Sequence, residues 1–426
     1  MKNYKVAIVG GGPAGMMAAI AIGKSLNQES KIVLIEKTDS LGKKLLLTGG
    51  GRCNIANASP IKNQLDKLKD KNFLKHSFYT LNNEQLLAIF KEKGLEFKEE
   101  NGKYFPITEN SKSILNILKD YLKELKVDVL LNNPVKSITK PITKSTTKNK
   151  KDLFEIKTSK SNMTSIYSEK VILTTGGITY PQTGSCGDGY KIATDFGHTI
   201  STLRPGLVPL KVKNNKFNQL SGITLENIEV SYRSIKTKGN VLITHFGLSG
   251  PAILDLSNFV VKDMIPGNTD NDFSDLAISL DLIPKLSEDE LKNKIANDSQ
   301  EYGKTKIKNY MKFYLKNRTI ESFLSLANVD GDKTLSNMTK KDKNNIIAIL
   351  KHLNIEINGM MPEKISMITC GGVSIDEINS KTMESKLTNG LYFAGELIEP
   401  YGPTGGYNLQ IAFSTGYLAG ESCAEK

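Results

Sequence analysis

The two ends of the chain each carry a glycine-rich turn between an apolar run and a run of small residues. At the start, the apolar residues 5–9 lead into the Gly10–Gly15 turn. At the finish, residues 390–396 lead to the Gly405–Leu409 turn and a small-residue helix up to Gly420. A turn of this kind presents backbone N–H groups to an anionic ligand. We therefore predict that the first and last segments converge on one ligand, and that the intervening chain is an insertion.

The first turn has the spacing Gly10-x-Gly12-x-x-Gly15, which is typical of dinucleotide-binding folds. The first glycine allows the tight turn, the second lets the backbone approach a pyrophosphate, and the third lets helix and strand pack closely. We expect a helix that begins at Pro13 and a second strand that ends at Glu36, placed to hold an adenosine ribose. The alternative is a tight turn without a ligand. Strand, helix and acid in register favour the dinucleotide.

FAD and NAD share this spacing, and the carboxy-terminal turn distinguishes between them. The sequence contains only one copy of the fingerprint. Gly395-Glu396 is expected to lie against the ribityl-phosphate region of FAD, and the Gly405–Leu409 turn to direct N–H groups at the pyrimidine edge of the flavin. Such donors stabilise negative charge on the reduced ring. The alternative is a glycine-rich turn that only begins a helix. We predict FAD as the cofactor.

Residues 42–54 form the most specific stretch of the chain. Three consecutive glycines at 49–51 precede Arg52, Cys53 and Asn54, which indicates backbone lying flat against another group. Arg52 is expected to pair with a phosphate, and Asn54 to bond to the edge of the isoalloxazine ring. Cys53 is either a catalytic residue near the ring or, as is commoner for cysteine, a buried inert thiol.

These stretches resemble the bacterial HI0933-like family of FAD-dependent flavoproteins. Residues 175–185 and 244–251 resemble it too, and the match extends in order over essentially the whole chain. Three positions depart from the usual pattern. Cys186 stands where threonine or serine is common, Cys370 where a small residue is common, and Glu399 where aspartate is common. These departures leave the detail near the ring open.

The resemblance implies an α/β fold: a Rossmann-like FAD-binding domain of the glutathione-reductase type, an inserted β-barrel domain and a helical subdomain. We place the FAD-binding domain at residues 1–204 and 371–426, the β-rich domain at 205–285 and 355–370, and the helical subdomain at 286–354. The family's flavin contacts would map to Gly10, Gly12, Pro13, Ala14, Gly15, Glu36, Lys37, Lys44, Gly49, Gly51, Arg52, Asn54, Val135, Gly176, Gly177, Gly395, Glu396, Gly406, Tyr407, Asn408 and Leu409.

Three residues are candidates for the acid that protonates the substrate. Besides Cys53, these are His245, in a Gly/Ser/Pro-rich turn that ends a strand, and Tyr180, between Gly-Gly and Pro. Both are also ordinary structural residues in many proteins. The reactions implied by the family are reduction of uridine to dihydrouridine in large-subunit (23S) ribosomal RNA, reduction of conjugated C=C bonds in steroid-like acids, and oxidation of small amines.

We predict an FAD-dependent oxidoreductase that uses NAD(P)H as a transient electron donor, with uridine in 23S ribosomal RNA as the preferred substrate. The alternatives are a small-molecule reductase or amine oxidase, and a non-catalytic flavin-binding protein. The net charge of +12, together with the absence of a distinct apolar substrate motif, favours RNA by a small margin, although composition alone favours an ordinary lysine-rich solvated surface. The lysine-rich residues 286–354 and 140–151 are candidate phosphate contacts.

Composition and spacing argue against several other classes of protein. No apolar run reaches the roughly 18 residues that a membrane span needs. The first strand begins so early that no signal peptide is expected. The four cysteines are far apart, without disulfide or metal-ligand spacing: Cys53, Cys186, Cys370 and Cys423. We therefore expect a cytoplasmic protein with free thiols, no membrane span and no metal.

Overall fold

The structure is a computed structural model that describes residues 2–26, 31–140, 153–159, 165–213, 217–264 and 276–425. The lysine-rich tip predicted at 140–151 lies outside these residues except for Lys140. The chain divides into two compact units, residues 1–205 with 363–426, and residues 206–362. Residues 363–370, expected in the β-rich domain, thus cluster with the first unit, and the helices of 286–354 cluster with the barrel strands.

Strands and helices alternate along both units. The strands are β1 (Lys2–Val9), β2 (Ile32–Ile35), β3 (Ala56–Asn57), β4 (Phe97–Glu100), β5 (Lys103–Pro106), β6 (Asp128–Leu130), β7 (Val135–Thr139), β8 (Phe154–Thr158), β9 (Ile166–Leu173), β10 (Arg204–Gly206), β11 (Leu210–Val212), β12 (Thr224–Tyr232), β13 (Ile235–Thr244), β14 (Gly247–Ser249), β15 (Ala277–Asp281), β16 (Leu353–Met360), β17 (Ile368–Cys370) and β18 (Leu391–Phe393). The α-helices are α1 (Pro13–Ser25), α2 (Ile61–Asp66), α3 (Lys71–Thr80), α4 (Asn83–Lys91), α5 (Ser111–Glu124), α6 (Asp188–Asp195), α7 (Pro251–Met264), α8 (Glu288–Glu301), α9 (Ile307–Tyr310), α10 (Asn317–Leu326), α11 (Lys340–Lys351) and α12 (Tyr407–Glu425).

A sheet of seven strands forms the centre of the first unit, in the order β6-β2-β1-β9-β8-β7, with β18 also paired to β9. The pairs that β1 makes with β2 and β9 are parallel, as are β2–β6 and β9–β18. Val6, Ala7 and Ile8 are completely buried, as expected for a parallel strand that is covered on both faces. Val9 pairs with Ile35 and Leu173, so three strands end at the same edge of the sheet.

The first and last helices pack against each other through small residues. A Cβ atom placed on Gly416 would lie 2.3 Å from the carbonyl oxygen of Ala14, and one on Gly420 would lie 2.4 Å from that of Ala18. Only glycine allows this separation, because a real Cβ atom does not approach a backbone atom so closely. The contact brings the amino-terminal and carboxy-terminal segments together.

The second unit contains a closed antiparallel barrel, in the order β11-β14-β13-β12-β15-β16. Its interior is filled by alternate strand residues such as Val230 and Val241, both completely buried. Helices α7 to α11 accompany the barrel in sequence, and Ile307 and Phe323 share its apolar core. The predicted β-barrel and the mixed α/β fold class are confirmed.

Candidate cofactor site

A pocket of about 1380 Å³, part of it open to solvent, lies in the first unit at the common edge of β1, β2 and β9. The amino-terminal turns of α1 and α12 both contribute to its wall. The predicted cofactor residues on this wall are Gly10, Gly12, Pro13, Ala14, Glu36, Lys37, Lys44, Val135, Gly176, Gly395, Glu396, Asn408 and Leu409. The structure therefore collects residues from both ends of the chain around one cavity.

The three fingerprint glycines have different surroundings. Gly10 has φ +112°, and a Cβ atom there would lie 2.4 Å from the carbonyl oxygen of Thr174. A Cβ atom on Gly15 would lie 2.0 Å from the carbonyl oxygen of Gly10. A Cβ atom on Gly12, by contrast, meets no described atom within 4 Å. Packing of the chain thus requires the first and third glycines, whereas the second leaves space open beside the helix N-terminus.

Glu36 lies at the end of β2 and is almost fully buried, 8% exposed. One carboxylate oxygen accepts a hydrogen bond from the N–H of Gly11 at 2.8 Å, and the other accepts one from the N–H of Thr38 at 2.7 Å. These bonds fix the glycine turn against β2. Each carboxylate oxygen can accept one more hydrogen bond. The predicted hydrogen bond from a ribose hydroxyl to Glu36 is therefore chemically open, and it stays a prediction.

Lys44 and Glu396 form an ion pair on the pocket wall. The Nζ atom of Lys44 lies 2.6 Å and 2.9 Å from the two carboxylate oxygens, and it also donates to the hydroxyl of Thr179 at 2.7 Å. The same carboxylate accepts from the N–H of Thr369 at 2.8 Å. The Lys44 and Glu396 side chains are each 23% exposed. The pair and its two threonines join three distant segments of the first unit.

The turn before α12 packs directly on β3. Gly406 has φ +96°, and a Cβ atom there would lie 2.4 Å from the carbonyl carbon of Ala56. The side chain of Asn57 donates to the carbonyl oxygen of Gly405 at 3.1 Å. Asn54, in the amide orientation that satisfies both neighbours, donates to the carbonyl of Ala56 and accepts from the N–H of Gly406. The structure thus places Asn54 as a link between the two glycine-rich segments.

Eight predicted cofactor residues are described by the structure but do not line the pocket: Gly15, Gly49, Gly51, Arg52, Asn54, Gly177, Gly406 and Tyr407. The guanidinium of Arg52 lies 2.6 Å from Glu100 and 3.1 Å from Glu109, and its central carbon is 4.2 Å from the centre of the Phe105 ring. The positive charge of Arg52, which was expected to pair with a phosphate, is therefore paired with two carboxylates of the protein. Contact of Arg52 with the cofactor stays a prediction.

Neither of the two candidate acids in the first unit, Cys53 and Tyr180, lies on the pocket wall. Cys53 is completely buried, and burial raises the pKa of its thiol to about 12, which fits the inert alternative. Tyr180 is half-buried, with its ring centre 5.9 Å from the Nζ atom of Lys44. His245 belongs to the second unit, where it is exposed in the turn between β13 and β14, beside Phe246. Their catalytic roles stay predictions.

Tyr401 is a wall residue that the sequence reading missed. Burial raises the pKa of its hydroxyl to about 12, Cys370 adds to this shift, and the positive charge of Arg204 opposes it. The hydroxyl is therefore protonated at neutral pH. No spacing marks Tyr401, which lies in an irregular segment before the glycine turn. Three further wall residues were also missed: Thr174, Thr175 and Thr369. The first two directly follow β9 and the third lies in β17, so a position at or near a strand end was the available signal.

Across residues 2–425, outside the gaps given above, no helix is long and apolar enough to cross a membrane. In the same part of the chain, no three His, Cys, Asp or Glu side chains are grouped closely enough to hold a metal ion. None of the four cysteines forms a disulfide, and three of them are buried.

Comparison with known proteins decides the family. The model of the HI0933-like protein Rossmann domain matches residues 4–422. This chain belongs to the HI0933-like family. It is 27% identical over 426 residues to the 3-dehydro-bile acid delta(4,6)-reductase of Clostridium scindens, covering 99% of both chains. It is also 27% identical over 428 residues to the ribosomal RNA dihydrouridine synthase of Escherichia coli, covering 100% of this chain and 98% of the relative.

A solved structure of quinol fumarate reductase from E. coli is similar in fold. It has a TM-score of 0.50 and 16% sequence identity, with 100% of this chain and 71% of that chain covered. At this identity the likeness shows the fold alone. Together with the family match, it establishes that the HI0933-like protein has the Rossmann-type fold of FAD-dependent oxidoreductases.

The wall residues of this HI0933-like protein fit FAD. The open space beside Gly12 adjoins the N-terminus of α1, where this fold holds a pyrophosphate. Glu36, which follows β2, lies on the same wall, and its predicted hydrogen bond to the adenosine ribose would use a free acceptor position of its carboxylate. The N-terminus of α12, with Asn408 and Leu409 on the wall, supplies a second set of N–H groups to the same cavity. Two helix N-termini on one cavity suit a ligand with separated electron-rich groups.

Proposed function

We propose that the protein reduces a C=C bond conjugated with a carbonyl group, with NAD(P)H as electron donor, and that the substrate is uridine in 23S ribosomal RNA. The observation that carries the proposal is the pair of relatives that match over nearly their whole lengths. Dihydrouridine is uridine with its C5=C6 bond saturated, beside the C4 carbonyl. A delta(4,6)-reductase of a 3-dehydro acid likewise saturates C=C bonds conjugated with a ketone. The shared chemistry supports the reaction class.

Two observations favour RNA over a small molecule. The protein carries a net charge of +12, which attracts a polyanion. The E. coli and Haemophilus influenzae relatives, each 27% identical, are both named as ribosomal RNA dihydrouridine synthases. A small-molecule enone is the second candidate, because the Clostridium relative is named for such a substrate. A cytoplasmic location, where NAD(P)H and ribosomal RNA occur together, is part of the first proposal.

The residues of the wall have separate tasks in this reaction. FAD, when bound, supplies hydride transfer between the nicotinamide and the substrate. The Gly10–Gly15 turn and the N-terminus of α1 hold the pyrophosphate, and Glu36 holds the ribose. The N–H groups at the start of α12 favour the reduced ring, because they stabilise its negative charge. The ion pair of Lys44 and Glu396 keeps the two ends of the chain in register around the cofactor.

Reduction of uridine adds a hydride at C6 and a proton at C5, with overall consumption of one NAD(P)H and one proton. We assign the proton to the hydroxyl of Tyr401, because this side chain lies on the wall and carries its proton at neutral pH. The positive charge of Arg204 favours the phenolate left behind, which solvent then reprotonates. A Tyr180 or Cys53 donor would require rearrangement at the wall.

The experiment combines a deletion strain with purified protein. We expect 23S ribosomal RNA from the deletion strain to lose dihydrouridine in nucleoside mass spectrometry, and the holoprotein to restore it in vitro with NAD(P)H. NAD(P)H oxidation should rise when unmodified ribosomal RNA is added. Unchanged dihydrouridine in the deletion strain would contradict the RNA proposal. Turnover of small enones without RNA, insensitive to salt, would instead support the second candidate.

A further inference from the structure

Residues 302–318 of the second unit form an acid-free basic stretch, called here the 302–318 surface. It contains six cationic side chains and no aspartate or glutamate: Lys304, Lys306, Lys308, Lys312, Lys316 and Arg318. In α8 of the same unit, by contrast, lysines alternate with acids, and Lys292 pairs with Glu288. The 302–318 surface thus concentrates positive charge over a short length of chain.

The backbone of this surface is anchored in the core of the second unit. Ile307 and Met311 are completely buried, Tyr310 is 1% exposed and Leu315 is 8% exposed. The basic residues between them point outward, and Lys312, Lys316 and Arg318 are among the exposed ones. A rigid base of this kind presents the cations at fixed positions, so a ligand does not have to order the chain when it binds.

An exposed aromatic ring lies within the same surface. Phe313 is 77% exposed, the highest exposure among the large apolar side chains of the described residues. Its ring centre lies 5.9 Å from that of the buried Tyr310 in an edge-to-face arrangement. Tyr302, at the start of the surface, is 50% exposed. One exposed apolar residue alone is ordinary. A ring that directly follows an exposed lysine, among further cations, is typical of surfaces that bind single-stranded nucleic acid.

Ion pairs neutralise only part of the charge. Lys306 and Lys308 share one carboxylate, that of Asp332, each at 2.8 Å. Lys316 lies 2.6 Å from Glu226. These pairs are solvent-exposed and therefore weak. Among the described residues, no carboxylate lies within ion-pair distance of the remaining three cations, Lys304, Lys312 and Arg318. The 302–318 surface therefore keeps a net positive charge that a polyanion can meet.

We propose that the 302–318 surface is a docking site for single-stranded RNA, with a base stacked on Phe313 and phosphates held by Lys312 and Arg318. The proposal rests on the proposed function and deepens it, because uridine must leave its base stack to be reduced. An anionic membrane fits less well. The apolar residues of α9 are buried, and one phenyl ring offers little area for insertion.

The test is direct binding of a fluorescein-labelled, uridine-rich 20-nucleotide RNA to the full-length holoprotein, measured by anisotropy at several KCl concentrations. Phe313→Ala should raise Kd by about 5- to 150-fold, which corresponds to the loss of one stacked base. The double variant Lys312→Gln/Arg318→Gln should reduce the slope of log K against log salt by about 1.4, or about 0.7 for each phosphate contact.

Two matched controls isolate the surface. Leu387→Ala removes another exposed apolar side chain, and Lys119→Gln/Lys123→Gln removes two exposed lysines outside the candidate phosphate contacts. Both controls should bind RNA as the wild type does. Wild-type affinity and slope in the surface variants would overturn the proposal, as would binding to phosphatidylglycerol vesicles without binding to RNA. RNA binding that depends on Phe313, in a protein that forms no dihydrouridine, would leave the docking site standing and refute only the proposed function.

Discussion

The Nζ atom of Lys44 lies 2.6 Å from one carboxylate oxygen of Glu396, although 352 residues separate the two in sequence. Each side chain is 23% exposed, so solvent and salt screen this pair less than a surface pair. Thr179 and Thr369 complete the hydrogen bonds of the pair. The arrangement ties the amino-terminal and carboxy-terminal segments together at the pocket wall. Each partner is therefore important for both stability and cofactor retention.

Removal of either charge should leave the other partly buried without a counter-ion. We expect Glu396→Gln and Lys44→Met each to lower the free energy of unfolding of the holoprotein by about 1–3 kcal/mol, and to release FAD more readily. The double variant should cost less than the sum of the two single variants, because the residues act as one unit. Denaturant unfolding and flavin fluorescence measure both effects.

Lys71→Met is the matched control for this cycle. Lys71 pairs with Asp66 at 2.9 Å, but both side chains are at least half exposed. A pair of this kind is expected to contribute less than about 1 kcal/mol. Strict additivity of Lys44→Met and Glu396→Gln would contradict the coupling that the distances indicate.

Gly12 and Gly416 should respond to the same substitution in opposite ways. Gly12→Ala adds a methyl group that meets no described atom within 4 Å, so the apoprotein should keep its melting temperature. The methyl group projects into the space assigned to the pyrophosphate, so FAD should bind at least tenfold more weakly. Gly416→Ala places a methyl group 2.3 Å from the carbonyl oxygen of Ala14 and should destabilise the apoprotein itself by about 1–3 kcal/mol.

Thermal unfolding without FAD and titration with FAD separate these two outcomes. If Gly12→Ala binds FAD as tightly as the wild type does, the pyrophosphate does not occupy the space beside Gly12. A Gly416→Ala protein with an unchanged melting temperature would show that α1 and α12 can move apart at little cost.

The glycine turns of the site were predictable from the sequence, whereas most of the hydrogen-bond and ion-pair partners of its side chains were not. The spacing of Gly10, Gly12 and Gly15 reports requirements of a single turn, which act over a few residues. Arg52 meets Glu100 and Glu109 only after the β4–β5 hairpin has folded beside it. A pattern of residue types contains no information on which acid a distant arginine will meet. The same limit applied to Tyr401, which no spacing marks.

Domain boundaries show a similar limit. Residues 368–370, which form β17, were expected in the β-rich domain. An apolar run alone does not indicate which sheet a strand joins. In the structure, the hydroxyl of Thr369 accepts a hydrogen bond from the N–H of Ile178 at 2.8 Å. The backbone N–H of Thr369 donates to Glu396. Contacts across roughly 190 residues of sequence thus decide that residues 363–370 belong to the first unit.

The buried imidazole of His198 should make stability depend on pH. Burial lowers the pKa of His198, and the nearby carboxylate of Glu377, 3.2 Å away, only partly opposes this effect. The folded protein therefore keeps the ring neutral at a pH where the unfolded chain binds a proton. The stabilisation is complete above pH ~6.5 and is lost as the pH falls below it, with a slope of at most about 1.4 kcal/mol per pH unit.

Urea unfolding between pH 5 and 7.5 measures this contribution. His198→Gln should be less stable at pH 7.5 and should lose this part of the pH dependence. Glu377 does not contribute in this window, because its pKa is lowered from an ordinary value of 4.5. His352→Gln removes an exposed histidine and serves as the control. Parallel pH profiles for wild type and His198→Gln would refute the assignment.

Thiol reactivity should separate Cys186 from the three buried cysteines. Burial raises the pKa of Cys53 and of Cys423 to about 12, and the thiolate is the reactive form. Iodoacetamide at pH 7.5 should label Cys186 in the native protein and all four cysteines after denaturation. Mass spectrometry of the peptides gives the result. Rapid native labelling of Cys53 would show that its thiol reaches solvent and would contradict the inert alternative.

Tyr401→Phe provides the sharpest test of the proton donor. The substitution removes one hydroxyl from the wall and keeps the ring, so FAD binding and reduction by NAD(P)H should be unchanged. Transfer to the substrate should slow by about 10²- to 10⁴-fold, the usual contribution of a positioned acid. Stopped-flow measurement of the two half-reactions separates these steps. Tyr180→Phe is the control and should change neither step by more than about threefold, because Tyr180 lies off the wall. The reverse pattern would transfer the role to Tyr180, since each variant differs from the wild type by a single oxygen atom.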